Sequence, residues 1–264
     1  MRKAIAEPKA NSAYFKYNVL LRYKTMITLI TADKRHNAEV GDWLKSHYHL
    51  SFADYYDPSN VEFGPLRVFN EDIIQPHSGF PSHPHAEMEI VHIVLDGELT
   101  HKDDLGHEVT VKAGNVQRIT AGKGINLTET NETDNPLHVF QLWFLPNKRG
   151  LAPSYESMTL DFLDTKNTLK PLVTGQKVLE NVTYMNSNST VYYGNLGQGE
   201  NYDFKTFKIR KTLVYVIEGS LLINNMEVGK YDQARLEFLD VVSLHGTGDA
   251  TFLLIDVPAA EANY

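Results

Sequence analysis

Two histidines separated by one residue form the part of this sequence best suited to binding a metal ion. His83 and His85 stand in the segment GFPSHPHAEME at residues 79–89. In an extended strand, residues i and i+2 point to the same side, so both imidazoles can reach one ion. Imidazole is neutral over much of the physiological pH range and binds divalent first-row metals well. By themselves, the two residues also fit a pair of surface histidines in a proline-rich loop.

A second segment can add a carboxylate to the same site. Leu127 and Glu129 are again two residues apart, and the glycines Gly122 and Gly124 precede them, where they allow a sharp turn of the backbone. If the fold brings this segment beside the two histidines, Glu129 can bind the same ion. Taken alone, a glutamate in this context is more typical of a solvated surface.

Short apolar runs predict that β-strands position these side chains. The runs are bounded by Gly, Asp, Asn or Pro, a pattern typical of a β-sandwich or β-barrel. The run at 90–95 is apolar on both faces apart from His92, so it is predicted to be a central strand covered on both sides. One short helix is predicted at 37–47. The runs lie at residues 66–69, 90–95, 109–111, 116–119, 139–145, 213–217, 221–223 and 252–257.

A faint internal repeat suggests a duplicated domain. The segment VLDGEL at 94–99 is echoed by VIEGSL at 216–221, an offset of 122 residues. Each copy reads as a strand, an acidic-glycine turn and a second strand. This pattern favours two β-barrels of similar build, with a boundary near residues 147–165, where Pro and Gly punctuate the chain. Coincidence between two hairpins is the alternative.

The composition excludes several classes of protein. The chain has 264 residues and no cysteine, which excludes thiol catalysis, disulfides and cysteine-ligated metal sites. No apolar run approaches the 18 residues of a membrane helix, and no membrane association is expected.

Residues 1–25 carry six Lys and Arg against one Glu and are predicted to be an unstructured extension, with a targeting segment as the alternative. The rest of the chain is acidic, which argues against nucleic-acid binding. A cytoplasmic location is expected, because a chain without cysteine suits a reducing compartment.

Several segments, taken in order, resemble one known family. The similar text is SFADYYDP at 51–58, LRV at 66–68, HPH at 83–85, GEL at 97–99 with His101, DLG at 104–106, AGKGI at 121–125, QLW at 141–143 and PSY at 153–155. The stretch from about residue 26 to 155 is similar to the pirin family, and within it to bacterial pirin-like proteins described as quercetin 2,3-dioxygenases. The resemblance implies an all-β bicupin, with two β-barrel (jelly-roll-like) cupin domains.

The implied domains are an N-terminal cupin at 26–150 and a C-terminal cupin at 151–264, with metal in the first only. The repeat agrees with that asymmetry. Its offset places Lys205 and Phe207 where the first half has its histidine pair, and the second half contains a single histidine, His245. The second domain is therefore predicted to lack metal ligands and to pack against the first.

The sequence departs from the family pattern at one metal ligand. After the Gly-Ile step the pattern is His, any residue, Glu, and these two residues supply the third and fourth ligands. Leu127 occupies the histidine position. The implied ligands that remain are His83, His85 and Glu129. Two histidines and one carboxylate can form the facial triad of non-haem Fe(II) oxygenases, so Fe(II) is the expected cofactor.

Four other histidines are candidates to replace the missing ligand, and none has the expected spacing. His92 lies on the predicted central strand and is typical of a satisfied core histidine. The remaining three flank a turn or precede a strand: His101, His107 and His138.

The activity implied by the resemblance is cleavage of a flavonol by O₂. The metal would hold the oxygens of a small aromatic substrate, and Glu129 would act as the catalytic base that takes its hydroxyl proton. A monomer is expected. Two alternatives stay open: a non-catalytic pirin-like regulatory or binding protein with a degraded metal site, and another cupin activity such as an isomerase.

Overall fold

A computed structural model describes residues 25–176 and 179–259 of the chain. The predicted extension at 1–25 lies outside these ranges apart from its last residue, and its state stays a prediction. Within the described ranges there is no α-helix, and therefore no helix long and apolar enough to cross a membrane. Two short 3-10 turns, Ala32–Lys34 and Phe162–Asp164, interrupt an otherwise all-β chain.

Twenty-two strands account for the regular structure of the described residues. The first half of the chain contains β1 Met26–Ile30, β2 His36–Val40, β3 Leu44–Tyr48, β4 Leu66–Ile74, β5 Ser78–His85, β6 Glu89–Asp96, β7 Glu98–Asp103, β8 Glu108–Lys112, β9 Asn115–Thr120, β10 Ile125–Asn131 and β11 Leu137–Phe144. The second half contains β12 Ser154–Thr159, β13 Thr168–Thr174, β14 Thr183–Tyr184, β15 Thr190–Leu196, β16 Asn201–Lys205, β17 Arg210–Glu218, β18 Ser220–Ile223, β19 Met226–Gly229, β20 Gln233–Glu237, β21 Val241–Gly246 and β22 Ala250–Pro258.

The helix predicted at 37–47 is wrong. That segment forms the hairpin of β2 and β3, which pair in antiparallel register from His36↔Tyr48 to Val40↔Leu44. Leu44 and its i+2 and i+4 neighbours are buried in β3 while alternate residues are more exposed. Such alternation with a period of two is typical of a half-buried strand. Over five residues the pattern is too short to be distinguished from a helical turn by sequence alone.

Each half of the molecule is built from two facing sheets. The first has a seven-stranded sheet in the order β12-β9-β6-β11-β4-β3-β2 and a four-stranded sheet in the order β5-β10-β7-β8. The second has sheets β1-β20-β17-β22-β15-β13-β14 and β16-β21-β18-β19. Antiparallel pairing dominates these sheets, with one parallel pair between β13 and β14, and the arrangement is compatible with a jelly roll. Strand β6 lies between β9 and β11, which confirms the predicted central strand.

The two strand orders correspond, which confirms the predicted duplication. Strands β9, β6, β11 and β4 of the first half occupy the places of β20, β17, β22 and β15 in the second. The repeated turn is also shared, because Gly97 and Gly219 adopt φ of 79° and 75°. A Cβ at either position would lie within 3 Å of a backbone oxygen, so both the left-handed conformation and the close approach require glycine.

The two halves exchange one strand each. Strand β1, from the start of the described chain, pairs with β20 of the second half, and β12 pairs with β9 of the first. The two strands hold equivalent edge positions in their sheets. The division of the chain at residue 150 stays a prediction, and the sheets interlock across it.

The largest apolar core lies between the two halves. In β6, Val91 and Ile93 face this shared core, while the alternate residues Ile90 and Val94 face the interior of the first half. Burying each large apolar side chain contributes about 1.5–3 kcal/mol, so the shared core holds the halves together. Its members include Leu50, Phe69, Phe140, Phe144, Leu172, Tyr193, Leu213, Tyr215, Leu253 and Ile255.

A buried carboxylate ties the same interface together with hydrogen bonds. Glu71 of β4 accepts hydrogen bonds from the hydroxyl of Tyr215 at 2.6 Å and from Nε2 of His138 at 2.9 Å. The guanidinium of Arg35 donates to the same carboxylate at 3.3 Å and to the Tyr215 oxygen at 3.0 Å. Burial alone raises the pKa of Glu71, but the hydrogen bonds from His138 and Tyr215 outweigh it and lower the pKa to about 2.

Replacing Glu71 with glutamine is expected to lower the free energy of unfolding at pH 6 by roughly 3 kcal/mol. The folded pKa of about 2 lies below the ordinary 4.5, so this stabilisation is present above pH 4.5 and is lost as the pH falls through 2. Denaturant titrations between pH 2 and 6 should therefore show the difference from wild type shrinking in acid. Tyr56→Phe, at a 74 % exposed residue, should change nothing. A Glu71→Gln difference that is constant with pH would contradict the assignment.

Candidate active site

A pocket of about 240 Å³ lies inside the first half of the molecule. Strands from both facing sheets and the loop after β3 supply its wall, which combines aromatic rings with a few polar groups. Phe52 packs edge-on against Trp143, with ring centroids 5.5 Å apart. The aromatic lining residues are Tyr48, Phe52, Phe80 and Trp143, and the polar ones are Ser46, Asn70, Asp72, His83, Glu129 and Gln141.

The two histidines of β5 stand side by side, as their spacing predicted. The ring centroids of His83 and His85 are 4.7 Å apart. Nδ1 of His83 donates a hydrogen bond to the Pro81 carbonyl at 2.7 Å, which leaves its Nε2 as the nitrogen with a free lone pair. The ring of His85 packs edge-on against Trp143 at 4.7 Å. Burial, and then the charge of His83, lower the pKa of His85 to about 4, so this imidazole is neutral at physiological pH.

Glu129 is buried rather than solvated, so the surface interpretation of this residue is wrong. It lies on β10, which pairs with both β5 and β7, and is 3 % exposed. The alternation of β10 turns Ile125, Leu127 and Glu129 to the interior. Burial, and then the negative charge of Asp72, raise the pKa of Glu129 to about 8. Without a cation nearby, the side chain is largely the neutral acid at pH 7.

Leu127 occupies the interior position that the resemblance assigns to a metal ligand. It is opposite His83 in the register of β10 and β5 and is fully buried. Its apolar neighbours are Ile90, Ile119, Ala121 and Ile125. An aliphatic side chain in this environment packs and cannot bind an ion.

His92 is part of the site, which the sequence did not predict. Its Nε2 lies 3.2 Å from Oε1 of Glu129, and both side chains are at most 4 % exposed. Although the distance is that of an ion pair, neither atom has a hydrogen-bond partner. Burial, followed by the charges of His101, His85 and His83, lowers the pKa of His92 to about 3, so the pair consists of two neutral groups.

The other nitrogen of His92 is held in place by a side chain from the neighbouring strand. The side-chain nitrogen of Gln117 lies 2.9 Å from Nδ1, and its oxygen accepts a hydrogen bond from the hydroxyl of Tyr155 at 3.1 Å. The prediction of a satisfied core histidine is therefore wrong for Nε2 and right for Nδ1. The sequence feature that could have placed His92 in the interior of the first domain is the alternation of β6, because Ile90, His92 and Val94 share one face.

The other three candidate replacement ligands, His101, His107 and His138, contact carboxylates. Asp103 lies 3.0 Å from Nε2 of His101 and 2.8 Å from Nδ1 of His107. The rings of both histidines stack on Tyr155. His138 belongs to the Glu71 network of the interface. These contacts account for His107, His138 and Nε2 of His101, while Nδ1 of His101 is buried without a hydrogen-bond partner.

The structure thus brings the three predicted ligands to one region, where together with His92 they form two pairs. His83 lies beside His85, Glu129 lies beside His92, and His83 and Glu129 line the same pocket. In the part of the chain that the structure describes, no three His, Asp or Glu side chains converge closely enough to hold an ion by themselves. The donor types fit a divalent metal, and the adjacent unpartnered atoms Nε2 of His92 and Oε1 of Glu129 fit one most directly.

Comparison with known protein families gives one match in each half of the chain. A family model described as Pirin matches residues 31–144, and a model described as a quercetinase C-terminal cupin domain matches residues 172–257. The matches agree with the duplicated strand order. They confirm the predicted bicupin fold.

Individual relatives match over most of both chains. A pirin-like protein of Caulobacter vibrioides is 35% identical over 85% of this chain and 96% of its own length. A quercetin 2,3-dioxygenase of Escherichia coli is 33% identical over 88% of this chain and 99% of its own. The crystal structure of YhhW from Escherichia coli has a TM-score of 0.84 at 31% identity, covering 90% of this chain and all of that one. A second structure shows that bacterial pirin with nickel(II), at a TM-score of 0.83, 31% identity, and coverage of 88% and 99%.

The raised pKa of Glu129 predicts how stability depends on pH when metal is removed. The folded protein keeps a proton that the unfolded chain releases between pH 4.5 and 8, so stability falls as the pH rises through that range. In EDTA, Glu129→Gln is expected to match wild type near pH 4.5 and to be more stable at pH 8, by on the order of 2–5 kcal/mol.

Denaturant titrations of both proteins at several pH values measure this difference. Glu227→Gln, at an exposed position of β19, is the matched control and should show no trend. Equal stability of wild type and Glu129→Gln at pH 8 would mean that Glu129 is already ionised and paired.

Proposed function

Because the chain belongs to the pirin family, we propose that it is a metal-dependent dioxygenase that cleaves flavonol-like aromatics with O₂ in its first cupin domain. The observation that carries the proposal is the buried carboxylate of Glu129 at an aromatic-lined pocket that also holds His83. Relatives named quercetin 2,3-dioxygenase support the choice of substrate.

The proposed cofactor is one divalent metal, Fe(II), held by His83, His85 and Glu129. The nickel(II) complex of a relative supports a divalent ion in this family. When bound, such an ion acts as a Lewis acid toward substrate oxygens, and Fe(II) with two histidines and a carboxylate can also support O₂ chemistry. No three of the described donors converge on one point, so binding an ion at this site would require their side chains to move together.

The walls of the pocket select the shape of the substrate. Trp143, Phe52 and Tyr48 contribute flat apolar surfaces and exclude water from the polar groups. The volume of about 240 Å³ is small beside the roughly 300–1,000 Å³ of typical ligand pockets. A flat aromatic ring system fits such a slot better than a branched molecule.

Glu129 is the proposed general base. In the metal-free protein, burial raises its pKa to about 8. As a metal ligand the carboxylate would be ionised, and it would accept the proton of the substrate hydroxyl on leaving the ion during turnover. Asp72, which lines the same pocket, has a pKa raised to about 7 by burial, opposed by a hydrogen bond from Ser46, so it can exchange protons over the same pH range.

A second candidate function is a non-catalytic pirin-like protein, and Leu127 is the observation that favours it. The side chain is packed in an apolar cluster at the place of a family ligand. In that case the pocket would bind an aromatic ligand or serve no small molecule, and the purified protein would contain no metal. Metal content separates the two candidates.

Protein purified without added metal or a metal-binding tag is expected to contain a divalent metal, below one equivalent because a ligand of the family pattern is missing. The double substitution His83→Ala/His85→Ala should remove it, since both imidazoles would be lost. Elemental analysis by mass spectrometry provides the measurement, with His245→Ala in the second domain as the control. Metal content that is unchanged in the double variant would place the ion elsewhere.

Oxygen consumption with quercetin tests the activity. Metal-loaded wild type should consume O₂, and Glu129→Gln should lose roughly 100-fold or more in rate, because proton transfer by a positioned base contributes about that much. Glu227→Gln should behave as wild type. Stoichiometric metal without O₂ consumption would favour another cupin activity such as an isomerase.

A further inference from the structure

We propose that His92 supplies the imidazole ligand that Leu127 cannot, so that the third nitrogen of the site comes from β6 rather than β10. This inference rests on the proposed metal site and names one more residue of it. The chain would then keep a set of three histidines and one carboxylate, with one histidine moved from one facing sheet to the other.

The first support is the pair of unpartnered atoms. Nε2 of His92 and Oε1 of Glu129 are both buried, lie 3.2 Å apart and form no hydrogen bond. Leaving a buried polar atom unpaired costs about 1–3 kcal/mol, so two such atoms side by side require an explanation. Two ligand atoms about 2.1 Å from one ion are separated by roughly 3.0 Å at a right angle and roughly 3.4 Å at a tetrahedral angle. The observed separation falls between these values.

The second support is the contact on the far side of the ring. Metal-binding histidines almost always fix their second nitrogen with a hydrogen bond to a neighbouring group. Gln117 provides that contact at Nδ1 of His92, and Tyr155 holds the Gln117 amide in turn. An amide carries a donor and an acceptor on one carbon, so a half-turn of Gln117 lets Nδ1–H donate and leaves Nε2 with a free lone pair.

The duplicated domain provides the third support, as an internal comparison. In the first domain His92 pairs with Gln117 across β6 and β9. At the corresponding positions of β17 and β20, Val214 pairs with Ala234, and both lie in an apolar core. The fold therefore does not need a polar pair at this place. The histidine and glutamine occur only in the domain that has the histidine pair of β5.

The surroundings of His92 are also those of the site and not of a separate core. Glu129, whose Oε1 lies 3.2 Å from Nε2 of His92, lines the same pocket as His83. Leu127 lies opposite His83 on β10 and blocks the family position, while Nε2 of His92 reaches Glu129 from the opposite sheet.

Cobalt(II) binding to the metal-free full-length protein tests the proposal. His92→Gln and His83→Gln should each weaken Co(II) binding by at least 10-fold, because even hydrogen-bond partners of ligands change affinity by about 10- to 100-fold. His245→Gln should bind as wild type. Adding Leu127→His to His92→Gln should restore affinity, because it returns the imidazole to β10.

The outcomes distinguish this inference from the proposed site. If His83→Gln weakens binding and His92→Gln does not, the site stands and the role of His92 is wrong. If wild type does not bind Co(II) at all, both are wrong.

A measurement on wild type alone covers the case in which a variant does not fold. Electron spin-echo modulation of the Cu(II)-loaded protein counts coordinated imidazoles. Three are expected, and two would overturn the proposal.

Discussion

Strand β6 is buried on both faces, and the rest of the structure depends on that constraint. Its odd-numbered residues, such as Val91 and Ile93, pack into the core between the two domains. Its even-numbered residues face the interior of the first domain, where His92 stands between Ile90 and Val94. One strand therefore connects the interface to the candidate site. A register shift of one residue would exchange the two faces and place the imidazole in the apolar interface.

The second domain holds this strand in place. The larger sheet of this domain contributes many side chains to the shared apolar core. The hydroxyl of Tyr215, in the same sheet, donates a hydrogen bond to the buried Glu71. At the start of β6, the carboxylate of Glu89 accepts hydrogen bonds from the backbone and side chain of Asn186. The exchanged strands β1 and β12 add main-chain pairing to each edge. Together these contacts anchor the site on rigid elements, which a binding constellation needs in order to keep its geometry.

The two domains share one fold but differ in the polarity of the side chains in their interiors. The interior of the second is filled by apolar side chains such as Phe204, Val214 and Leu244. The interior of the first contains Glu129 and His92, both driven toward their neutral forms by burial. Such groups oppose folding when they are unpaired, and natural proteins keep them mainly where function requires them. The contrast between duplicated domains is therefore a physical argument for a site in the first.

Local patterns in the chain were enough to predict features that depend on neighbouring residues. Short apolar runs bounded by turn residues predicted the all-β class, and apolar residues on both faces of 90–95 predicted its central position. The spacing of His83 and His85 predicted their shared side, because it follows from the geometry of one strand. The repeated turn at Gly97 and Gly219 predicted the duplication. The family resemblance added the bicupin architecture. The hairpin at 36–48 was missed because five-residue strands carry too short a pattern.

Contacts between side chains across the interior depend on how the strands assemble in three dimensions. Glu129 and His92 are 37 positions apart on different sheets, and their 3.2 Å contact depends on how those sheets face each other. The burial of Glu129, and hence its raised pKa, follows from the closure of β10 between β5 and β7. The exchange of β1 and β12 likewise requires both domains to be assembled. No local pattern encodes such contacts, because each is fixed by the packing of strands far apart in the chain.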